Sequence, residues 1–217
     1  MALLDTQAFR RTSRHWSRWG YGLLALLVAV LTSNPATGAD IILLPVVRAA
    51  LVASSAAAPT AASEYALKAV FLFNFTKYVE WPATAFSDAQ APFVIGVLGD
   101  DPFGSVLDET VRGEKVNGRV LIIRHYSSKE EIKDCQILFI SASEAGQLEQ
   151  ITATLKGRSV LTVGDFDKFT DRGGMIGLTM EKNKIHLKIN LETAKAANLT
   201  ISSNLLRVAE VTGHAKE

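Results

Sequence analysis

Apolar residues alternate with polar or small ones at Ile176, Leu178 and Met180, and again at Ile185, Leu187 and Ile189, the period of strands with one buried face. Glu181 to Asn183 supply a polar turn, so the pattern predicts an antiparallel hairpin. Its outward row is Gly177 and Thr179 on the first strand and Lys184, His186, Lys188 and Asn190 on the second. A slip of one residue would bury the lysines, so the register is well specified. After Asn190 the period changes: Leu191, Ala194 and Ala197 recur at helical spacing up to Asn198. A last helix is expected from Ser202 or Ser203, either of which can cap it, with Leu205, Leu206, Val208 and Ala209 facing inward. Gly173 and Gly174 open the hairpin, where the chain turns freely only without a Cβ.

Upstream, Ser63 and Glu64 begin a predicted helix that ends at Trp81 and Pro82. It is apolar nearly all round, which predicts that most of it is buried, with Asn74 and Lys77 as its odd polar members. Continuous apolar runs at 93–98, 120–123, 135–140 and 159–163 read as strands, with helices expected at 102–110 and 144–155. Such runs alternating with helices predict a single α/β domain: a mixed, mostly parallel sheet of about six strands, helices on both faces, and the C-terminal antiparallel hairpin.

The first 62 of the 217 residues do not share this pattern. Arg10, Arg11, Arg14 and Arg18 precede an uncharged apolar run, Tyr21 to Leu31, and then small residues ending at Ala39, the order of a secretory signal peptide. The organisation expected is therefore a signal peptide at 1–39, an Ala/Ser/Pro-rich linker or extended leader at 40–62, the domain at 63–213 and a tail at 214–217. Cleavage is expected after Ala39, with Ala58 as the alternative; the run is short for an uncleaved anchor, which needs roughly 20 residues. The net charge is +1; five arginines against Asp5 and Asp40 give the leader +3, leaving −2 for the rest. A mildly acidic domain without a basic run argues against nucleic acid as a partner. Cys135 is the one cysteine, so no internal disulfide can form, and at the head of an apolar run it reads as a small buried hydrophobe.

Motifs for catalysis start and then fail. Gly99 and Gly104 have the spacing of a phosphate loop, but Ser105 and Val106 stand where lysine and Ser/Thr are needed, and Asp100 and Asp101 would repel phosphate. Those aspartates also suggest a phosphoreceiver, whose third aspartate is replaced by Ser141. The four histidines, His15, His125, His186 and His214, have no ligand spacing, so no metal is expected. No serine lies in a Gly-x-Ser-x-Gly elbow. Asp165 and Asp167 beside Arg172 read as a capped turn tied by a salt bridge rather than an acid/base pair. The domain is read as non-enzymatic, with no cofactor.

Three motifs carry a family resemblance: AVFLFNFTKYVEWP ending at Pro82, FVIGVLGDDPFG, and LTVGDFDKFTDRGGMIGL continued by INLETAKAANLTISSNLLRVA. Over about 150 residues, Ser63 to Gly213, the chain resembles the YfiR-like family of bacterial periplasmic proteins. The resemblance implies a periplasmic α/β domain, often a homodimer, without catalysis. It also implies a partner, the periplasmic part of an inner-membrane diguanylate cyclase or another inner-membrane sensor protein. An OmpA-like outer-membrane lipoprotein would sequester the domain, and cyclic di-GMP output and biofilm formation would be lowered. Regulation through internal disulfides, known in the family, is absent with Cys135 alone. Two groups of residues are candidates for a partner surface: Asn74, Lys77 and Trp81 on the aromatic helix, and the row Lys184, His186 and Lys188, which equally protects a sheet edge. The alternative function is a small-ligand sensor, with Gly164, Asp165, Phe166, Arg172, Gly173 and Gly174 clustered at strand ends where doubly wound sheets place ligands. A free Arg172 in a cleft would favour the sensor; a filled site with an apolar patch elsewhere would favour the partner-binding regulator.

Overall fold

The computed structural model describes residues 61–182 and 184–213. The leader at 1–39, all but the last two residues of the linker, and the tail at 214–217 lie outside the described residues. The chain begins with helix α1 (Ala61–Tyr78), which passes directly into the two-residue strand β1 (Val79–Glu80). Then follow β2 (Phe93–Leu98), α2 (Ser105–Val111), β3 (Lys115–Val116), β4 (Arg119–Tyr126) and β5 (Ile137–Ile140). After α3 (Leu148–Thr154) and β6 (Leu161–Gly164) comes the hairpin β7 (Ile176–Glu181) and β8 (Lys184–Asn190). The chain closes with α4 (Leu191–Ala196), β9 (Thr200–Ile201), α5 (Ser203–Leu206) and β10 (Glu210–Thr212).

One eight-stranded sheet has the order β10-β8-β7-β6-β5-β2-β4-β3, and β1 pairs with β9 in a separate antiparallel ribbon. From β4 to β7 neighbouring strands are parallel. Every residue of β2, β5 and β6 is buried, as continuous apolar strands covered on both faces require. Alternation splits the core. Ile137 and Phe139 pack with Leu72 and Phe75 of α1, while Leu138 and Ile140 pack with Leu148 and Ile151 of α3.

The hairpin has the predicted register: Ile176 lies opposite Ile189, Leu178 opposite Leu187 and Met180 opposite Ile185. Two expectations are corrected. The sheet has eight strands rather than about six, because β3 and β10 span only two or three residues and show no period. The last helix stops at Leu206, and Val208, expected inward, is 72% exposed. The chain there leaves the helix so that β10 can pair with Lys188 to Asn190 of β8.

Candidate functional site

Of the six proposed ligand residues, Gly164, Asp165 and Phe166 lie at the C-terminal end of β6, whereas Arg172, Gly173 and Gly174 precede the parallel strand β7 and lie towards the other end of the sheet. Asp165 follows β6, with its side chain 5% exposed, and accepts a hydrogen bond from Lys68 Nζ at 2.6 Å. Lys68, 2% exposed, also meets Glu64 at 2.5 Å and lies over the Tyr65 ring at 4.4 Å. Burial first, and then the Asp165 carboxylate, push the Tyr65 hydroxyl up to about 12. Lys68 was not singled out in the sequence. The i, i+4 spacing of Glu64 and Lys68 was its only local signal, since Asp165 is 97 residues away.

Phe169, 2% exposed, explains both buried glycines. A Cβ at Gly164 would stand 2.5 Å from its ring, and one at Gly174 2.2 Å. Phe166 packs against the same ring edge-to-face at 5.2 Å. Gly174→Ala is expected to lower stability by about 1–3 kcal/mol through overpacking, read as a lower urea midpoint at unchanged slope. Gly173 is needed for its backbone, at φ +96°. Arg172 is not free: it donates to both Glu149 carboxylate oxygens, at 2.7 and 2.9 Å, and to the Ala145 carbonyl at 2.9 Å. This pairing raises the Arg172 pKa and lowers that of Glu149. Arg172 therefore does not tie Asp165 or Asp167, as the sequence had suggested.

The topological switch point, between β2 and β5, is closed as well. There the chain turns at Gly99, φ +85°, and the Asp100 amide donates to Ser143 Oγ at 3.0 Å. A Cβ at Gly99 would lie 2.4 Å from that oxygen. Asp101 accepts from the Phe103 amide at 2.8 Å and approaches His125 at 3.2 Å. The place where an open α/β sheet takes a ligand is thus occupied by protein.

The open surface is on α1. Its buried side is Lys68, Ala69, Leu72, Phe75 and Thr76. On the opposite side Leu67, Val70 and Tyr78 are 40%, 43% and 40% exposed. This corrects the expectation of a mostly buried helix. Spacings of three, four, seven and eleven from Leu67 place Val70, Phe71, Asn74 and Tyr78 on one face. Asn74 sits in its middle, and Lys77 beside it lays its ammonium on the Phe73 ring at 4.3 Å.

A groove of ≈ 640 Å³ is lined by Phe73, Lys77, Trp81, Lys115 and Asn117 among others. Trp81 is fixed there. Its Nε1 donates to the Gln136 carbonyl at 3.0 Å, and its ring meets Phe93 edge-to-face at 4.9 Å. Gln136 in turn accepts from the Val94 amide at 2.8 Å and donates to the Ala85 carbonyl at 2.7 Å.

Lys77 and Trp81 line the same groove and Asn74 lies outside it, whereas Lys184, His186 and Lys188 leave from the sheet face opposite α1. Lys188 pairs with Asp171 at 3.0 Å and His186 lies 3.8 Å from Glu181. Their strand is only half an edge, because β10 covers Lys188 to Asn190.

Cys135 is buried, and its thiol donates to the Ile137 carbonyl at 2.8 Å. Burial pushes its pKa up to about 12. The native thiol is expected to stay unreactive towards a disulfide reagent at pH 8 and to react fully in denaturant. Since the raised value belongs to the folded state, its stabilising contribution is complete below the ordinary value of 9.0 and is lost as pH rises towards 12.

No helix among the described residues is long and apolar enough to cross a membrane. Nor does any group of three or more His, Cys, Asp or Glu among them have the arrangement of a metal site. A family model described as YfiR/HmsC-like matches residues 65–210. The chain belongs to this family. The YfiR/HmsC-like match begins in the second turn of α1 and ends at the first residue of β10, so it covers nearly all of the described fold. No curated protein matches the chain. Among solved structures, an ABC domain in complex with L-Trp from Streptococcus pneumonia is 12% identical, at a TM-score of 0.43, with 55% of each chain covered. A conserved domain protein from Vibrio cholerae O1 biovar eltor is likewise 12% identical, at a TM-score of 0.47 over 68% of this chain. This YfiR/HmsC-like chain spans 55% and 60% of the length of those two.

Proposed function

We propose that this member of the YfiR/HmsC-like family is an exported, periplasmic regulator without catalysis of its own. It binds the periplasmic part of an inner-membrane diguanylate cyclase, holds cyclic di-GMP output down, and so limits biofilm formation. An OmpA-like outer-membrane lipoprotein is the second proposed partner, competing for the free domain.

The observation that carries this reading is the outer face of α1. It presents Leu67, Val70 and Tyr78 to solvent beside Asn74 and Lys77. Exposed apolar rows of this kind mark interaction surfaces. The sensor reading loses support from Phe169 and from the pairing of Arg172 with Glu149.

The test is a pull-down from solubilised membranes of the source cells with the tagged full chain. Retention of a diguanylate cyclase, reduced when Leu67 is replaced by Asp, supports the proposal. Failure to retain any cyclase, from membranes shown to contain one with a periplasmic domain, rejects it.

A further inference from the structure

Strand β4 leaves half of its outer edge open. Along one side it pairs with β2 over six residues, from Leu121 to Tyr126. Along the other, β3 covers only Arg119 and Val120. The direction of each backbone group follows from two hydrogen bonds. The Tyr126 carbonyl accepts from Gly99 of the β2 side, while the Leu121 amide donates to the Glu114 carbonyl on the outer side. Peptide groups alternate in direction along a strand, so Ile123 and His125 turn both N–H and C=O outward. Among the described residues no strand meets them there.

Around this window stand a guanidinium with the Tyr126 hydroxyl near it and no counter-ion among the described residues, and the His125 ring, 3.2 Å from Asp101. Arg124 is exposed and makes no ion pair among the described residues. On its face of the strand lie Val120, 51% exposed, and the half-buried Ile122. The opposite edge of the sheet differs: on β8, Lys188 already pairs with Asp171, and His186 lies near Glu181.

A second copy of the chain fits this edge poorly. Antiparallel self-pairing centred on Ile123 would require the place opposite Leu121, which Glu114 holds. Centred on Arg124, it would set two guanidiniums directly across from each other, and like charges so placed are destabilising.

The geometry points to β-strand addition at Ile123–His125 by an extended segment of another protein, with a carboxylate facing Arg124 and an apolar residue two positions away over Ile122. Main-chain hydrogen bonds to Ile123 and His125 supply the attachment, and Arg124 supplies the selection. This surface is separate from the α1 face and does not depend on the regulator reading.

The probe is a phage-displayed library of random seven-residue peptides, selected on the immobilised full chain. Enriched peptides are expected to carry Asp or Glu flanked at alternate positions by apolar residues. Their binding should fall tenfold or more with Ile123→Pro, which removes an outward N–H and leaves the ladder to β2 intact. Selection on Arg124→Glu, an exposed position whose change leaves the fold in place, should enrich Lys or Arg at the central position instead. The inference is overturned if no peptide is enriched, if both chains select the same peptides, or if the full chain self-associates in a way that Ile123→Pro abolishes.

Discussion

Replacing Lys68 by alanine is expected to destabilise the domain by about 3–5 kcal/mol, the penalty for leaving a buried charge without its counter-ion. Lys68 is 2% exposed and is the common partner of Glu64 and Asp165, whose side chains are 26% and 5% exposed. Without the ammonium, Asp165 keeps its burial and loses its pair, and the cation that lies over Tyr65 is lost as well. For a domain of this size the loss corresponds to a melting point lower by about 10 °C. Lys68→Met with Asp165→Asn removes both charges together and should recover part of the stability, because a neutral buried site avoids the unpaired ion. Calorimetry of the parent and the two variants checks this; a loss under about 1 kcal/mol for Lys68→Ala would show that the cluster is solvated rather than buried.

The second large effect is on binding rather than stability. Leu67→Asp together with Val70→Asp is expected to weaken attachment to the proposed cyclase partner about 1,000-fold, since truncated or charged central contacts cost about 2 kcal/mol or more each. Folding should hardly change, because both side chains are partly solvent-exposed and surface substitutions lie within about 0.5 kcal/mol. Trp81→Ala is a poor substitute in this test. Its ring packs on Phe93 and its N–H holds the Gln136 carbonyl, so its removal would lower stability by about 3–5 kcal/mol and confuse lost fold with lost contact. The double aspartate variant, compared with the parent by surface binding to the purified periplasmic part of the cyclase, separates the two.

The hairpin was legible from the sequence because a period of two admits one register, and Ile176 opposite Ile189 is that register. The continuous apolar runs that became β2, β5 and β6 were legible for a similar reason, being too uniformly apolar for anything but a strand covered on both sides. Helix α1 was misread where its pattern is ambiguous. Apolar residues all round fit a buried helix, and equally a helix with one face in the core and the other open; Leu67 and Val70 show the second case. Strands β3 and β10 were missed because two or three residues show no period, and Val208 was placed inside a helix that ends two residues before it. At the strand ends, Gly174 was read as a turn glycine and Gly164 as a ligand candidate, but at both a Cβ would meet a neighbouring side chain. The cause is the Phe169 ring rather than a ligand, and only packing reveals it. The Lys68–Asp165 contact joins residues too far apart in the chain for any local pattern to pair them.

The most direct test of the proposed regulation is the cyclic di-GMP content of source cells lacking this protein, complemented with the parent chain or with the Leu67→Asp, Val70→Asp variant at equal periplasmic levels. Loss of the protein should raise cyclic di-GMP, the parent chain should restore the low level, and the folded variant should leave it high. If the variant restores the low level as fully as the parent, the α1 face is not the regulatory surface. If loss of the protein leaves cyclic di-GMP unchanged while the cyclase is expressed, the regulator reading itself fails.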